Sequence, residues 1–283
     1  MSNNEELIRR IVEQVLAGQG TPDKTSDPDH IQCVSCGHCV ADRPVAVRQI
    51  AQAGASRVSA GIGIIRPEVT PTLIDHTLLK PNAVAREIEQ LCGEALEYGF
   101  YSVCINPTHV ARCKEILSGS RVRVCTVIGF PLGANMTAVK AYEAQSAESL
   151  GADEIDMVIN IGALKDGELS FVRDDIAAVV EATSKEVITK VILENAYLTT
   201  EEKIKACLMC KDAGADFVKT STGFGPSGAT AEDVALMRHV VGSELGVKAA
   251  GGIRDTAMAL KMMQAGATRI GASASVKIVT GSA

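Results

Sequence analysis

The chain has 283 residues, 46% of them hydrophobic and 22% charged, with a formal net charge of -6. That is apolar material for one large domain or two small ones, and the absence of a long basic run argues against a nucleic-acid partner. Tryptophan is absent and aromatics reach only 3%, so the core must be aliphatic, without the stacking platforms that bind single strands. Nine cysteines, no secretory leader and no apolar run of membrane-spanning length predict reduced thiols in a cytoplasmic protein.

Residues 4–17 read as an amphipathic helix. Leu7, Ile8, Ile11, Val12, Val15 and Leu16 share one face, and Glu5, Arg9, Arg10 and Glu13 cover the other. Gly18 and Gly20 stop it, and a polar linker rich in Gly, Pro, Asp and Ser follows. A helix this short needs a partner for its apolar stripe. The run EELIRRIVEQVLAG resembles the encapsulation peptides that carry enzymes into bacterial microcompartments, which implies a shell protein as the partner of residues 4–17; docking on its own domain or on a sister subunit is the alternative. Next come Cys33, Cys36 and Cys39 with His38 beside them. This C-x2-C-x2-C run resembles the cluster-binding segment of bacterial ferredoxins, although Arg43 stands where a fourth cysteine would fall. Iron–sulfur ligation, a zinc site built from Cys33, Cys36, Cys39 and His38, and a metal-free turn all remain open. The expected organisation is a targeting helix over 1–20, a linker and Cys-rich segment over 21–62, and a catalytic body over 63–283.

Within that body, strand-like and helical segments alternate without interruption from about residue 68. The strands are TLIDHTLL, FYSVCIN, RVRVCTVIGF, DEIDMVIN, EVITKVILE, DFVKTS, GVKAA and TRIGA. Helical patterns run over 84–98, 108–118, 135–150, 164–183, 199–213, 230–242, 254–265 and 274–280. Glycines 99, 151, 214 and 266 end helices just before the next strand. Parallel strands with helical crossovers at this spacing predict an α/β fold, a (β/α)8 TIM barrel, with its chemistry at the C-terminal ends of the strands. A doubly wound open sheet is the competing architecture.

Two lysines stand out. Lys190 and Lys219 lie on successive strands among apolar β-branched residues. A buried amine must find a carboxylate or lose its proton, and two neighbouring ammonium groups depress each other. A neutral lysine condenses with a carbonyl to give a Schiff base. The bland alternative is two strand-end lysines that reach solvent. Asp75 on the first strand and Asp156 on the fourth supply carboxylates, whereas Cys104 and Cys125 read as core. The loops STGFGPSG, AAGGIR and GASAS are glycine-rich, and Gly223, Gly251, Gly252, Gly271 and Ser273 are candidates for a phosphate cradle. The stretch from Gly223 to Gly228 also matches G-x-G-x-x-G, but the next strand ends in alanines and glycines without the acid that a dinucleotide site needs.

Residues 70–276 resemble the class I deoxyribose-phosphate aldolases through IDHTLL, VCINP, TVIGFPLG, GADEIDMVINIG, KVILE, GADFVKTSTGF, KAAGGIR and RIGAS. The resemblance implies a cofactor-free, reversible cleavage of 2-deoxy-D-ribose 5-phosphate to D-glyceraldehyde 3-phosphate and acetaldehyde by a homo-oligomer. It implies Lys190 as the Schiff-base lysine and Lys219 as the partner that lowers its pKa. Asp156 would handle protons and water, with Asp75 in support. Two departures stand out. Ala274 follows Ser273 where many relatives have a second serine, and the C-terminal run SVKIVTGSA lacks a tyrosine found in some.

Overall fold

The computed structural model describes residues 69–281; the expected helix over 4–17 and the segment holding Cys33, Cys36, His38 and Cys39 lie outside them. Eight strands form within the described residues: β1 (Ile74–Leu78), β2 (Ser102–Ile105), β3 (Arg123–Ile128), β4 (Glu154–Val158), β5 (Ile188–Ile192), β6 (Phe217–Lys219), β7 (Gly246–Ala250) and β8 (Arg269–Ala272). Each pairs in parallel with the next, and β8 closes on β1. The (β/α)8 TIM barrel is therefore the fold, and the open-sheet alternative falls.

Alternation along the strands divides the residues between two environments. One set, including Val103, Ile105, Val124, Ile155, Met157, Val191, Val218, Val247 and Ile270, is wholly buried and supplies the β-branched and long aliphatic surface on which the helices pack. The other set carries Asp75, Glu154, Asp156, Lys190, Lys219, Lys248 and Arg269, which contact one another in the barrel centre. An interior of charges is costly to desolvate, so it persists only where each charge has partners.

The surrounding helices are α1 (Ala85–Tyr98), α2 (Val110–Ile116), α3 (Thr137–Ser149), α4 (Ile161–Lys165), α5 (Leu169–Glu181), α6 (Thr200–Asp212), α7 (Ala231–Val241), α8 (Thr256–Gln264) and α9 (Ser275–Thr280). In α1, Ile88, Leu91, Cys92 and Ala95 form the buried stripe, and Gly99 ends the helix in the left-handed region at φ 69 and ψ 40. The single helix expected over 164–183 is instead two, α4 and α5. Gly167 adopts φ 80, and the Glu168 N–H returns to the Ala163 carbonyl at 2.9 Å, so the chain turns before α5 begins. A lysine also anchors this side: Lys140 of α3, fully buried, donates to Asp175 of α5 at 2.6 Å and to the Val158 carbonyl at 3.0 Å. No described helix is long and apolar enough to cross a membrane.

Candidate active site

Register fixes the depth of each charged side chain. Asp156 is the Cα partner of Lys190 across β4 and β5. On the other side of β5, Lys190 faces Phe217 while Ile192 faces Lys219. Lys219 therefore lies nearer the C-terminal mouth than Lys190, and its register partner on β7 is Lys248; because barrel strands tilt, register partners sit at different heights.

Asp156 gathers the amines. Its Oδ1 accepts from Lys190 Nζ at 2.8 Å, and its Oδ2 accepts from both Lys219 and Lys248 at 2.7 Å. Lys190 also lies 2.6 Å from Glu154 Oε2 and 3.4 Å from Cys125 Sγ. Lys248 lies 2.5 Å from Asp75 Oδ2, and Asp75 Oδ1 accepts from Ser102 Oγ and Arg269, each at 2.8 Å. Arg269 reaches Glu154 as well, at 3.1 Å, and its guanidinium lies 3.4 Å from the Tyr101 ring centroid and 5.3 Å from that of Phe217. Four cations thus face three carboxylates.

The electrostatics follow from this packing. Burial pushes Asp156 up, but Lys190, Lys219 and Lys248 outweigh it and hold the carboxyl well below the usual range. Asp75 shows the same balance, with Lys248 and Arg269 as its main counter-charges. Burial pulls Lys190 down, yet Asp156, Cys125, Glu154 and Asp75 reverse the sign and leave it well above an ordinary lysine. The sequence-based expectation is a Lys190 depressed by Lys219; burial acts in that direction, and the flanking carboxylates act against it. A neighbouring ammonium does not control a group held by two carboxylates.

A cavity of roughly 300 Å³ opens above this network, lined by Thr77, Lys80, Lys219, Thr222, Phe224, Arg254 and others. Gly223, Gly251, Gly252, Gly271 and Ser273, the five residues expected to cradle phosphate, all belong to its wall. Of the four cations in this network, Lys219 is the one that borders it; Lys190 is fully buried beneath. The glycines have steric reasons. A Cβ on Gly228 would come 2.2 Å from the Gly251 carbonyl oxygen, and Gly251 itself has φ 88. These two loops lie so close that the Ala229 N–H donates to that carbonyl at 3.0 Å. A Cβ on Gly271 would meet Lys248 Cε at 3.0 Å, so glycine there leaves room for the lysine.

Of the residues singled out in the sequence, Lys190 and Lys219 meet on Asp156, while Asp75 pairs with Lys248 and Arg269 instead of with those two lysines; Lys248, Glu154 and Arg269 were missed. Cys104 and Cys125 are buried as expected, but Cys125 also contacts the network, 3.3 Å from Asp156 Oδ1. Two clusters, Cys104 with Cys125 and Asp156, and Asp75 with Cys125 and Glu154, have spacings that a metal ion could bridge. Their carboxylates already hold ammonium or guanidinium groups, which an ion would have to displace.

A parallel barrel whose centre holds lysines on a shared carboxylate, beneath a glycine-walled cavity, has the layout of a Schiff-base lyase. The model of the DeoC/LacD family aldolases matches residues 71–281, and the chain belongs to that family; it is an aldolase. A deoxyribose-phosphate aldolase of Clostridium perfringens (strain 13 / Type A) is 60% identical over 209 residues, 74% of this chain and 93% of that protein. One from Thermococcus gammatolerans is 61% identical over 211 residues, 74% of this chain and 94% of the relative. Among solved structures, the tetrameric deoxyribose phosphate aldolase of Aeropyrum pernix aligns with a TM-score of 0.72 and 33% identity, covering 83% of this chain and 97% of the other.

Proposed function

We propose that the chain reversibly cleaves 2-deoxy-D-ribose 5-phosphate to D-glyceraldehyde 3-phosphate and acetaldehyde, and that Lys219 carries the Schiff base. The observation that carries this reading is the position of Lys219: it borders the same cavity as the five phosphate-cradle candidates while touching Asp156. The relatives' names support the substrate. The buried position of Lys190, closed in by Glu154 and Asp156, speaks for a positioning role in place of the nucleophilic one implied by resemblance.

On this reading, the sugar phosphate sits against Gly223, Gly251, Gly252, Gly271 and Ser273, which directs its aldehyde carbon down toward Lys219. The reacting form of Lys219 is its neutral amine, whose proton goes to water at the cavity. The neutral amine adds to C1, the carbinolamine loses water, and a protonated imine forms. Asp156, directly or through a water, takes the proton of the 3-hydroxyl. The C2–C3 bond then breaks, its electrons moving into the imine to give an enamine while the phosphorylated aldehyde leaves. Protonation at C2 and hydrolysis release acetaldehyde and restore Lys219. Lys248, sharing Asp156 Oδ2 with Lys219, keeps that carboxylate ionised between proton transfers, and Asp75 holds Lys248. Binding at the phosphate end thereby positions the reacting end.

Borohydride added with acetaldehyde should fix an ethyl group on Lys219, read by peptide mass spectrometry. A label on Lys190 in active enzyme would restore the alternative assignment.

Three further readings rest on sequence alone. Residues 4–17 address the enzyme to a protein shell, working as cargo in the cytoplasm; removing residues 1–20 should leave turnover intact and abolish co-purification with shell protein. Cys33, Cys36, Cys39 and His38 hold zinc or an iron–sulfur cluster, which elemental analysis and visible absorption of anaerobically purified full-length protein distinguish. Self-association into a homo-oligomer is tested by light scattering.

A further inference from the structure

Just beyond β5, Glu194 has left-handed backbone, φ 54 and ψ 63, the one non-glycine residue with positive φ among those described. Glycine adopts this conformation freely and glutamate does not. Its side chain is also buried, 2% exposed. A charged residue kept in an unfavourable conformation and out of water points to something that its carboxylate must hold.

What it holds is the loop after β6. Glu194 Oε2 accepts from the Thr222 N–H at 3.1 Å and from the Thr222 hydroxyl. That hydroxyl, its proton spent on Glu194, accepts in turn from the Phe224 N–H at 3.0 Å. Gly225 lies so close that a Cβ there would come 2.9 Å from the Glu194 carboxyl carbon. One carboxylate thus braces residues 222–225, and Thr222, Gly223 and Phe224 are cavity wall. Glu194 Oε1 finds no hydrogen-bond partner among the described residues, so its polar contacts all go to this loop through Oε2.

We infer that Glu194 is a positioning residue for phosphate recognition: it sets the Thr222–Gly225 loop so that the chain around Gly223 meets the substrate's phosphate. The inference rests on the reading that the phosphate binds in this cavity. Glu194 touches neither the reacting carbons nor Lys219, and it acts through Thr222.

The test uses the full-length enzyme with deoxyribose 5-phosphate, with unphosphorylated deoxyribose and with inorganic phosphate as inhibitor. Glu194→Asn tolerates left-handed backbone but is too short to reach Thr222; Glu194→Gly fits that backbone without strain and is the second loss variant. Both should raise KM for the phosphorylated sugar about tenfold with kcat changed by less than about threefold, and weaken phosphate inhibition about tenfold. On unphosphorylated deoxyribose, kcat/KM should stay within about twofold of wild type. Glu194→Gln, which keeps an acceptor oxygen, should recover most of the affinity. Equal losses on both sugars, a fall in kcat at constant KM, or unchanged KM in the loss variants would each overturn the inference. A wild-type enzyme indifferent to the 5-phosphate removes the parent reading and this one with it. A preserved preference with unaltered variants removes this one alone.

Discussion

Lys190 and Lys219 hold opposite oxygens of one carboxylate, Lys190 on Asp156 Oδ1 at 2.8 Å and Lys219 on Asp156 Oδ2 at 2.7 Å. The roles proposed for them rest on exposure to the cavity, which Lys219 borders and the fully buried Lys190 does not. Lys219→Leu should lower kcat on the order of 10^4-fold or more, since no amine then faces the aldehyde. Steady-state retro-aldol rates decide this, and a variant retaining a tenth of wild-type turnover contradicts the assignment.

Lys190→Met should behave differently. It leaves Glu154 and Asp156 buried with one counter-charge fewer, which costs about 3–5 kcal/mol of stability. Borohydride labelling of Lys219 by acetaldehyde should nevertheless persist in the folded variant. Denaturant unfolding measures the first effect and mass spectrometry the second; disappearance of the label counts against a purely positioning Lys190.

Asp156→Asn keeps the shape but cannot take the 3-hydroxyl proton. The expected loss in kcat is about 10²–10⁴-fold, with KM for the phosphorylated substrate nearly unchanged because the cradle is separate. A change confined to KM would show that Asp156 serves binding.

Gly228→Ala probes the cradle itself. Its methyl group would come 2.2 Å from the Gly251 carbonyl oxygen, so the loops after β6 and β7 must part. We expect about 1–3 kcal/mol of destabilisation and a raised KM for the phosphorylated sugar, from thermal melts and kinetics on the same preparation.

Stability should also depend on acid in a defined sense. Asp75 and Asp156 are held below their unfolded values near 3.9. Depressed carboxylates contribute fully above the unfolded pKa and lose that contribution as pH falls toward the folded one. Melting temperature should therefore be insensitive to these groups from about pH 5 upward and drop as pH falls below about 4. Lys190 and Lys248 are raised, so their contribution holds below the unfolded lysine value of about 10.4 and erodes only above it. Melts across pH 2–7 check the acid limb, and a flat profile below pH 4 would falsify the depressed carboxylates.

Much of this was legible in the order of residues. Alternating strands and helices with glycine stops at 99, 151, 214 and 266 led to the closed barrel, and the glycine-rich late loops led to the cavity wall. Lys248 escaped notice in a short strand that otherwise reads as ordinary core, and Glu154 and Arg269 because each opens its strand, where a charged side chain ordinarily reaches solvent. Spacing held a clue, since Glu154 and Asp156 are two apart on one strand and thus share a face. Depth was not legible at all: how far Lys190 sits below Lys219 depends on the β5–β6 register, which is set by closing the sheet and not by any local pattern. The split of the expected 164–183 helix turned on one glycine at positive φ, where helical periodicity continues on both sides.

Arg269, stacked on Tyr101 and paired with Asp75 and Glu154, plugs the floor of the barrel. Among the described residues, the cavity that Lys219 borders is walled by loops at the C-terminal ends of the strands. On the proposed reading the phosphorylated fragment lies against the loop wall and leaves first, while the two-carbon piece is still bonded to Lys219, so the covalent chemistry and the cavity's placement call for the same order of departure.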